Sequence, residues 1–339
     1  MTNSLPRLLW LTQGSSPKLP SQRLRVLEML PLLAADFEQA HCPAPTTIMQ
    51  VWRMRRQLRA ADVVILQKEL VSLAVLTLIR HFARQLTYDF DDAVHLRLLA
   101  DGSCRASRKR SRRFAAICRA ADLVIAGNSI LAAEAECAGC RRVAILPTGV
   151  PLPTASYPPP PADTPVRLGW IGTDVNLPYI EALEPIFLQL QSEGLVFSLH
   201  VMAGRAPRFR QFAAVEFLPW SASAEEAFLA SLDVGLMPLA DNAHTRGKCA
   251  YKALRYMSLS KPVVVSDVGV NAEWTAGTGF AATTEAEMSD ALSKLIISGT
   301  LRTQMGAIGS QRVAREFARP VLATRLRDLL LSICQTSRG

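Results

Sequence analysis

The chain has 339 residues, enough for two ordinary domains, and its 49% apolar and 20% charged content is that of a globular protein with substantial cores. Its longest apolar run, residues 70–79, is too short to cross a bilayer, and MTNSLPRLLWLTQG lacks the charged start of a leader, so a cytoplasmic location is expected. The net charge of +9 is uneven, because residues 1–165 hold 21 Lys+Arg against 13 Asp+Glu and the rest hold 17 against 16.

Seven cysteines without regular spacing exclude a disulfide framework and suit a reducing compartment. Cys137 and Cys140 have CxxC spacing, but no second pair completes a zinc site.

In chain order, short apolar runs at 7–11, 47–51, 63–66, 86–89, 123–126 and 143–146 predict strands, with helical patterns between them, including 22–37 and 70–84. PLPTASYPPPPADTP, residues 151–165, predicts an extended linker. Beyond it the alternation resumes, with strands at 167–171, 198–202, 215–218, 234–237, 262–266 and 279–281 and a helical stretch at 177–193. Strands alternating with helices predict parallel sheets, so the expected fold is α/β with two doubly wound domains. The last pattern, 310–335, is helical with Pro320 inside it, which predicts a kink or split and a helix crossing back to the first domain. The expected division is a first domain over 1–155, joined by the helix at about 315–339, and a second domain over 165–314.

Several stretches carry chemistry. GWIGT, residues 169–173, ends a strand with glycines, where backbone N–H groups can approach a phosphate. GKCAYKALRYMSLSKPVVVSDVG, residues 247–269, places Lys248 and Lys252 at the expected start of a helix, with Arg246 just before. Cations repel a helix N-terminus, so the arrangement makes sense around an anion such as a diphosphate; a solvated helix face is the alternative. DFDDAVH brings Asp89, Asp91 and Asp92 to a strand end, with His95 three residues on. Crowded carboxylates repel and point to a cation or a polyol, or to a helix cap. RASRKRSRRF contributes Arg105, Arg108, Lys109, Arg110, Arg112 and Arg113 without an acid, which suits an anionic surface or a solvated face. Only Phe114 lies near, so a stacking platform for nucleic acid is lacking. GxSxG, HExxH and GxxxxGK[ST] are absent, which removes the corresponding hydrolase, zinc protease and P-loop readings.

GWIGT, then DVGLMPL (233–239) and GKCAYKALRYM followed by KPVV, resemble the nucleotide-binding domain of GT-B glycosyltransferases of retaining family 4, also called group 1. ADVVILQKEL (61–70), LTYDFDDAVH (86–95) and DLVIAGNSILAAEA (122–135) resemble the acceptor-side domain of the same enzymes. The resemblance covers roughly residues 7–320. It implies two Rossmann-like domains facing a cleft and sugar transfer, with retention and without a metal or other cofactor, from a nucleotide-sugar donor to an acceptor hydroxyl, either a saccharide or a lipid-linked saccharide in surface polysaccharide or glycolipid assembly. It implies Gly14, Gly172, Thr173, Arg246, Lys248, Lys252 and Arg255 at the donor and Asp91, Asp92 and His95 at the acceptor. The basic run at 105–113 would then meet an anionic membrane at its cytoplasmic face. Where most members carry two glutamates eight residues apart, this chain has Gly247 and Arg255. That departure leaves a catalytically degenerate binding or scaffold protein as the alternative.

Overall fold

A computed structural model describes residues 5–14, 19–99, 104–157 and 165–336. The first part of the chain runs β1 (Arg7–Thr12), α1 (Pro20–Gln22), a π-helical turn (Arg23–Leu27), α2 (Leu30–Leu33), β2 (Glu38–Pro43), α3 (Ile48–Ala60), β3 (Val63–Gln67), α4 (Leu73–Phe82), β4 (Gln85–Phe90), β5 (Leu96–Leu98), β6 (Cys104–Ala106), α5 (Arg108–Ala120), β7 (Leu123–Ala126), α6 (Ser129–Cys137) and β8 (Val143–Ile145). After the linker come β9 (Val166–Ile171), α7 (Leu177–Glu181), α8 (Glu184–Ser192), β10 (Phe197–Ala203), β11 (Val215–Pro219), α9 (Glu225–Ser231), β12 (Val234–Met237), α10 (Ala243–Arg246), α11 (Tyr251–Ser258), β13 (Val263–Ser266), α12 (Asn271–Thr275), β14 (Gly279–Ala282), α13 (Glu285–Ile297), α14 (Gly299–Arg312), a second π-helical turn (Val313–Phe317) and α15 (Arg319–Thr336).

Two six-stranded sheets result, ordered β2-β1-β3-β4-β7-β8 and β11-β10-β9-β12-β13-β14, and all their pairings are parallel. Helices cover both faces, so the central strands are apolar throughout: VVILQ in β3, LVIA in β7 and VGLM in β12 are buried at every residue. In each sheet the strand order reverses beside β1 or β9, and ligands of such sheets bind at the carboxyl ends beside that point.

Three local expectations need correction. Residues 47–51 form no strand. Thr47 caps α3 and its side chain accepts from Gln50 N, while the Gln50 side chain accepts from the Thr47 backbone; this reciprocal cap starts a helix. The strand lies earlier, in β2, an edge strand whose residues are exposed or half-buried and so lack an apolar signature. The pattern at 22–37 is interrupted before α2, where Pro31 sits in the first turn and cannot donate a backbone bond. The stretch 177–193 is likewise two helices, with Pro185 in the first turn of the second. At the end of the chain the break falls at Ala318, which is extended (ψ 140°), and Pro320 occupies the first turn of α15, where a proline is tolerated.

The linker's described part, residues 151–157, has no regular structure, and Glu226 accepts bonds from Thr154 N, Thr154 Oγ1 and the Tyr157 hydroxyl; the Pro-rich stretch 158–164 lies outside the described residues. After Ala318 the chain runs back along the first sheet. Leu322, Leu326, Leu330 and Ile333 of α15 share one apolar cluster with Leu8, Trp10, Val63 and Ile65. Val150 and Ala318 form an isolated parallel bridge, and Arg319 pairs with Glu28.

Candidate active site in the cleft

Lys252 is the second residue of α11, a helix whose first turn has no acid and no side-chain cap. Its ammonium lies 4.2 Å from the Trp170 ring centroid, within cation–π range. A Cβ at Gly172 would come within 2.5 Å of both the Lys252 Nζ and the Trp170 ring. The glycine of GWIGT is therefore what lets the lysine lie across the end of β9. Burial, and then the charge of Lys248, push the Lys252 ammonium down to about 7. It is a buried cation without a carboxylate among the influences on it. The two motifs read separately in the sequence, GWIGT and the lysine pair, thus meet in one place.

The helix does not begin at Lys248. It begins at Tyr251, after Ala250 in a left-handed conformation with φ of 46°, because residues 247–249 are committed to the first sheet's loops. The Asn128 side-chain amide, at the start of α6, donates to Gly247 O (3.1 Å) and Lys248 O (3.0 Å). Cys249 Sγ donates to Asp91 O (3.4 Å) and fills the space beside Gly127, where a Cβ would meet it at 2.4 Å. A Cβ on Gly247 itself would stand 3.1 Å from the Ala93 and Leu131 side chains, so a larger residue at this position would be tightly packed.

Arg255 turns away from Lys252. It is 4% exposed; its Nε lies 3.4 Å from Glu225 Oε1 and its guanidinium donates to Pro151 O (3.3 Å) and Ser258 Oγ (3.4 Å). Glu225 also accepts from the half-exposed Trp220 indole N–H at 3.1 Å. Arg246 is at the surface, forked onto Asp241 at 2.6 and 2.8 Å. Thr173 caps a short 3-10 turn and accepts from Asn176 Nδ2 at 2.8 Å. Gly14 has φ of +113° with open space around its Cβ position, and its N–H closes on Thr12 O; a residue with a side chain would be strained there.

On the first-domain side, the three crowded carboxylates are paired with two cations of the same chain, Arg25 and Lys68. Arg25 and Asp89 form a buried fork of 3.0 and 2.5 Å, and Arg25 also donates to Leu146 O and Thr148 Oγ1. Lys68, itself in the left-handed region with φ of 61°, pairs with Asp92, lies 3.2 Å from Asp91 Oδ1, and donates to Ser21 Oγ at 2.8 Å. Burial raises the Asp91 carboxyl, but Lys68 and Arg25 outweigh it and hold the group below the usual carboxylate range. Neither cation was singled out in the sequence: their partners lie 24 and 64 residues away.

His95 Nδ1 lies 3.4 Å from Glu134 Oε2, and its ring is 5.4 Å from that of Phe114. Burial, then Arg110, lowers the imidazole, while burial pushes Glu134 up to about 7; both shifts favour the uncharged pair. His244, also unforeseen, is lowered by burial and by Lys248 and raised by Asp92. These mutual influences place His244 where the Lys248 and Asp92 loops face one another. Of the basic run, Arg110 donates to Val94 O and Arg113 to Leu70 O, whereas Arg105, Arg108, Lys109 and Arg112 are exposed. Among the described residues, no three His, Cys, Asp or Glu side chains converge to hold a metal ion, and no helix is long and apolar enough to cross a membrane.

The profile of the family Glycosyl transferases group 1 matches residues 179–298. Comparison with curated protein sequences gives no match. Among solved structures, HepE of Anabaena, bound to UDP and glucose, matches with a TM-score of 0.71 at 15% identity over 96% of this chain and 100% of that one. Sucrose-phosphate synthase of Thermosynechococcus elongatus matches with 0.72 at 15% identity over 98% and 100%. The lipopolysaccharide outer core galactosyltransferase WaaB, in its apo form, matches with 0.66 at 13% identity over 96% and 99%. At such identities the likeness is one of fold. The chain has the GT-B fold, and its second domain carries the sequence pattern of the Glycosyl transferases group 1 family.

Proposed function

We propose that the protein is a glycosyltransferase that moves a sugar from a nucleoside-diphosphate donor to an acceptor hydroxyl, with retention of configuration and without a metal ion. The observation that carries this reading is Lys252, a buried ammonium held near neutrality beside Gly172 and Lys248. A diphosphate there would restore its charge, and both lysines would stabilise the negative charge that grows on the leaving group. HepE, whose structures hold UDP, glucose and UDP-glucose, supports a UDP-sugar donor.

The acceptor enters on the side of Asp91, Asp92 and His95. Because Lys68 holds both aspartates in place, they act as fixed hydrogen-bond acceptors for sugar hydroxyls. His95, uncharged beside Glu134, can donate or accept a proton at the reacting hydroxyl. The acceptor is a saccharide or lipid-linked saccharide, met at the cytoplasmic face of an anionic membrane toward which Arg105, Arg108, Lys109 and Arg112 point their charge.

The test is a thermal-shift screen of the purified protein with UDP, GDP, ADP, their sugars and the bare nucleosides. A ligand at a hundred times its dissociation constant adds about 2.7 kcal/mol. Stabilisation by one diphosphate and not by its nucleoside, lost in Lys252→Met, is the expected result; equal responses would remove Lys252 from the phosphate site. Release of sugar from the stabilising donor separates a transferase from a degenerate binding protein, which the tightly packed Gly247 position keeps as the second reading. The anomer formed, read by NMR, decides retention, and activity in chelator decides the role of metal.

A further inference from the structure

α3, IMQVWRMRRQLRA, contains four arginines and no acid, and only Val51 and Leu58 among its residues are buried. At its start Ile48, Met49 and Trp52 are 49%, 62% and 49% exposed. Single exposed apolar residues are ordinary, but these three fall within five positions on the opening turns of one helix. The indole is held in place: its ring meets Phe82 edge-on at 5.4 Å, and Arg55 donates to Trp52 O at 2.7 Å with its guanidinium 6.0 Å from the ring centroid. Arg53, Arg56 and Arg59 are exposed beside it.

α4 lies between α3 and α5, so the arginines of α3 and the exposed Arg108, Lys109 and Arg112 of α5 belong to one face of the first domain. Both helices run back to the amino ends of the strands that follow them, β3 and β7. Their first turns therefore lie toward the carboxyl edge of the sheet, the edge that also bears Asp91 and Asp92. A half-exposed tryptophan packed edge-on against Phe82, with aliphatic neighbours and rimmed by arginines, is the chemistry of a helix that lies in a lipid interface.

We propose that the first turns of α3 are a lipid-inserting wedge: Ile48, Met49 and Trp52 enter the headgroup layer of an anionic bilayer, while Arg53, Arg56 and Arg59 and the exposed cations of α5 bind its anionic headgroups. This extends the membrane reading above from charge on α5 to insertion on α3. It needs neither donor nor acceptor, so it fails or stands separately from sugar transfer.

The test uses the full chain with vesicles of phosphatidylcholine alone or with 30% phosphatidylglycerol, about the anionic content that gives a strong surface potential. Expected are binding to the anionic vesicles only, and quenching of tryptophan fluorescence by lipids brominated near the headgroup, lost in Trp52→Phe. The triple variant I48S/M49S/W52S should bind at least about tenfold more weakly, and R53Q/R56Q/R59Q by about fivefold for each charge removed, both with UDP binding unchanged. Unaltered vesicle binding by the triple variant, or no quenching in the wild type, overturns insertion. A wild-type dimer in sedimentation that becomes monomeric in the triple variant, without vesicle binding, overturns the lipid assignment in favour of a second copy on this face.

Discussion

Lys252 offers a measurable signature of the proposed site. Its ammonium titrates near 7 in the free protein against 10.5 in an unfolded chain. Between those values the unfolded state binds a proton that the folded state does not, so the free protein loses stability as pH falls from about 10.5 to about 7 and stays at the lower level below. Lys252→Met should therefore melt at a higher temperature than wild type at pH 7, and the advantage should vanish as pH approaches 10.5. In the wild type, UDP should bind with uptake of close to one proton at about pH 8, seen as a binding enthalpy that differs between Tris and HEPES buffers. Loss of the charge-assisted contact should weaken UDP about 10- to 150-fold. At the same scale, the lysine pair and the glycine of GWIGT stand out in the sequence as a basis for an anion site, although only Lys252 of the pair lies in the first turn of a helix. Lys68 and Arg25 do not: they look like any surface cations until the fold brings them to the carboxylates at and just after the end of β4. The sequence also marks the missing glutamates, but not that Arg255 is spent on Glu225 and Pro151.

At the scale of elements, the parallel strands are legible because a strand buried on both faces is apolar at every position. The edge strand β2 is not, and the capping residues of α3 mimic a strand, since TTIMQV is as β-branched and apolar as many strands. The reciprocal cap should be worth about 1 kcal/mol to the fold, so Thr47→Ala should lower the unfolding free energy read from urea titration by about that amount without changing UDP binding. The loop before α11 makes the opposite kind of prediction. Gly247→Glu puts an acid where the family resemblance leads one to expect it, yet its Cβ would stand 3.1 Å from the side chains of Ala93 and Leu131. It should destabilise the protein by about 1–3 kcal/mol and break the Asn128 bonds to Gly247 and Lys248, which a larger radius of gyration in X-ray scattering would reveal. A gain of activity instead would mean that these neighbours yield readily.

Over the whole molecule, the division at the Pro-rich linker and the returning helix follow from composition and from Pro320, although what the helix covers does not. Leu322, Leu326, Leu330 and Ile333 are nearly fully buried against the first sheet, and each such side chain is worth about 1.5–3 kcal/mol. Their sum is comparable with the whole stability of an ordinary domain, about 5–15 kcal/mol. A chain ending at Ala318 should consequently be insoluble or bind ANS.

The polypeptide passes between the two sheets twice, once at Val150 and once at Ala318, and the passages lie side by side: Val150 N–H donates to Phe317 O at 3.0 Å and Arg319 N–H to Val150 O at 2.9 Å. Two crossings bonded to one another hold the halves more closely than a single tether would, so any relative movement of the lysines of one half and the aspartates of the other is expected to be mainly a rotation about that seam, and its search for alignment a narrower one.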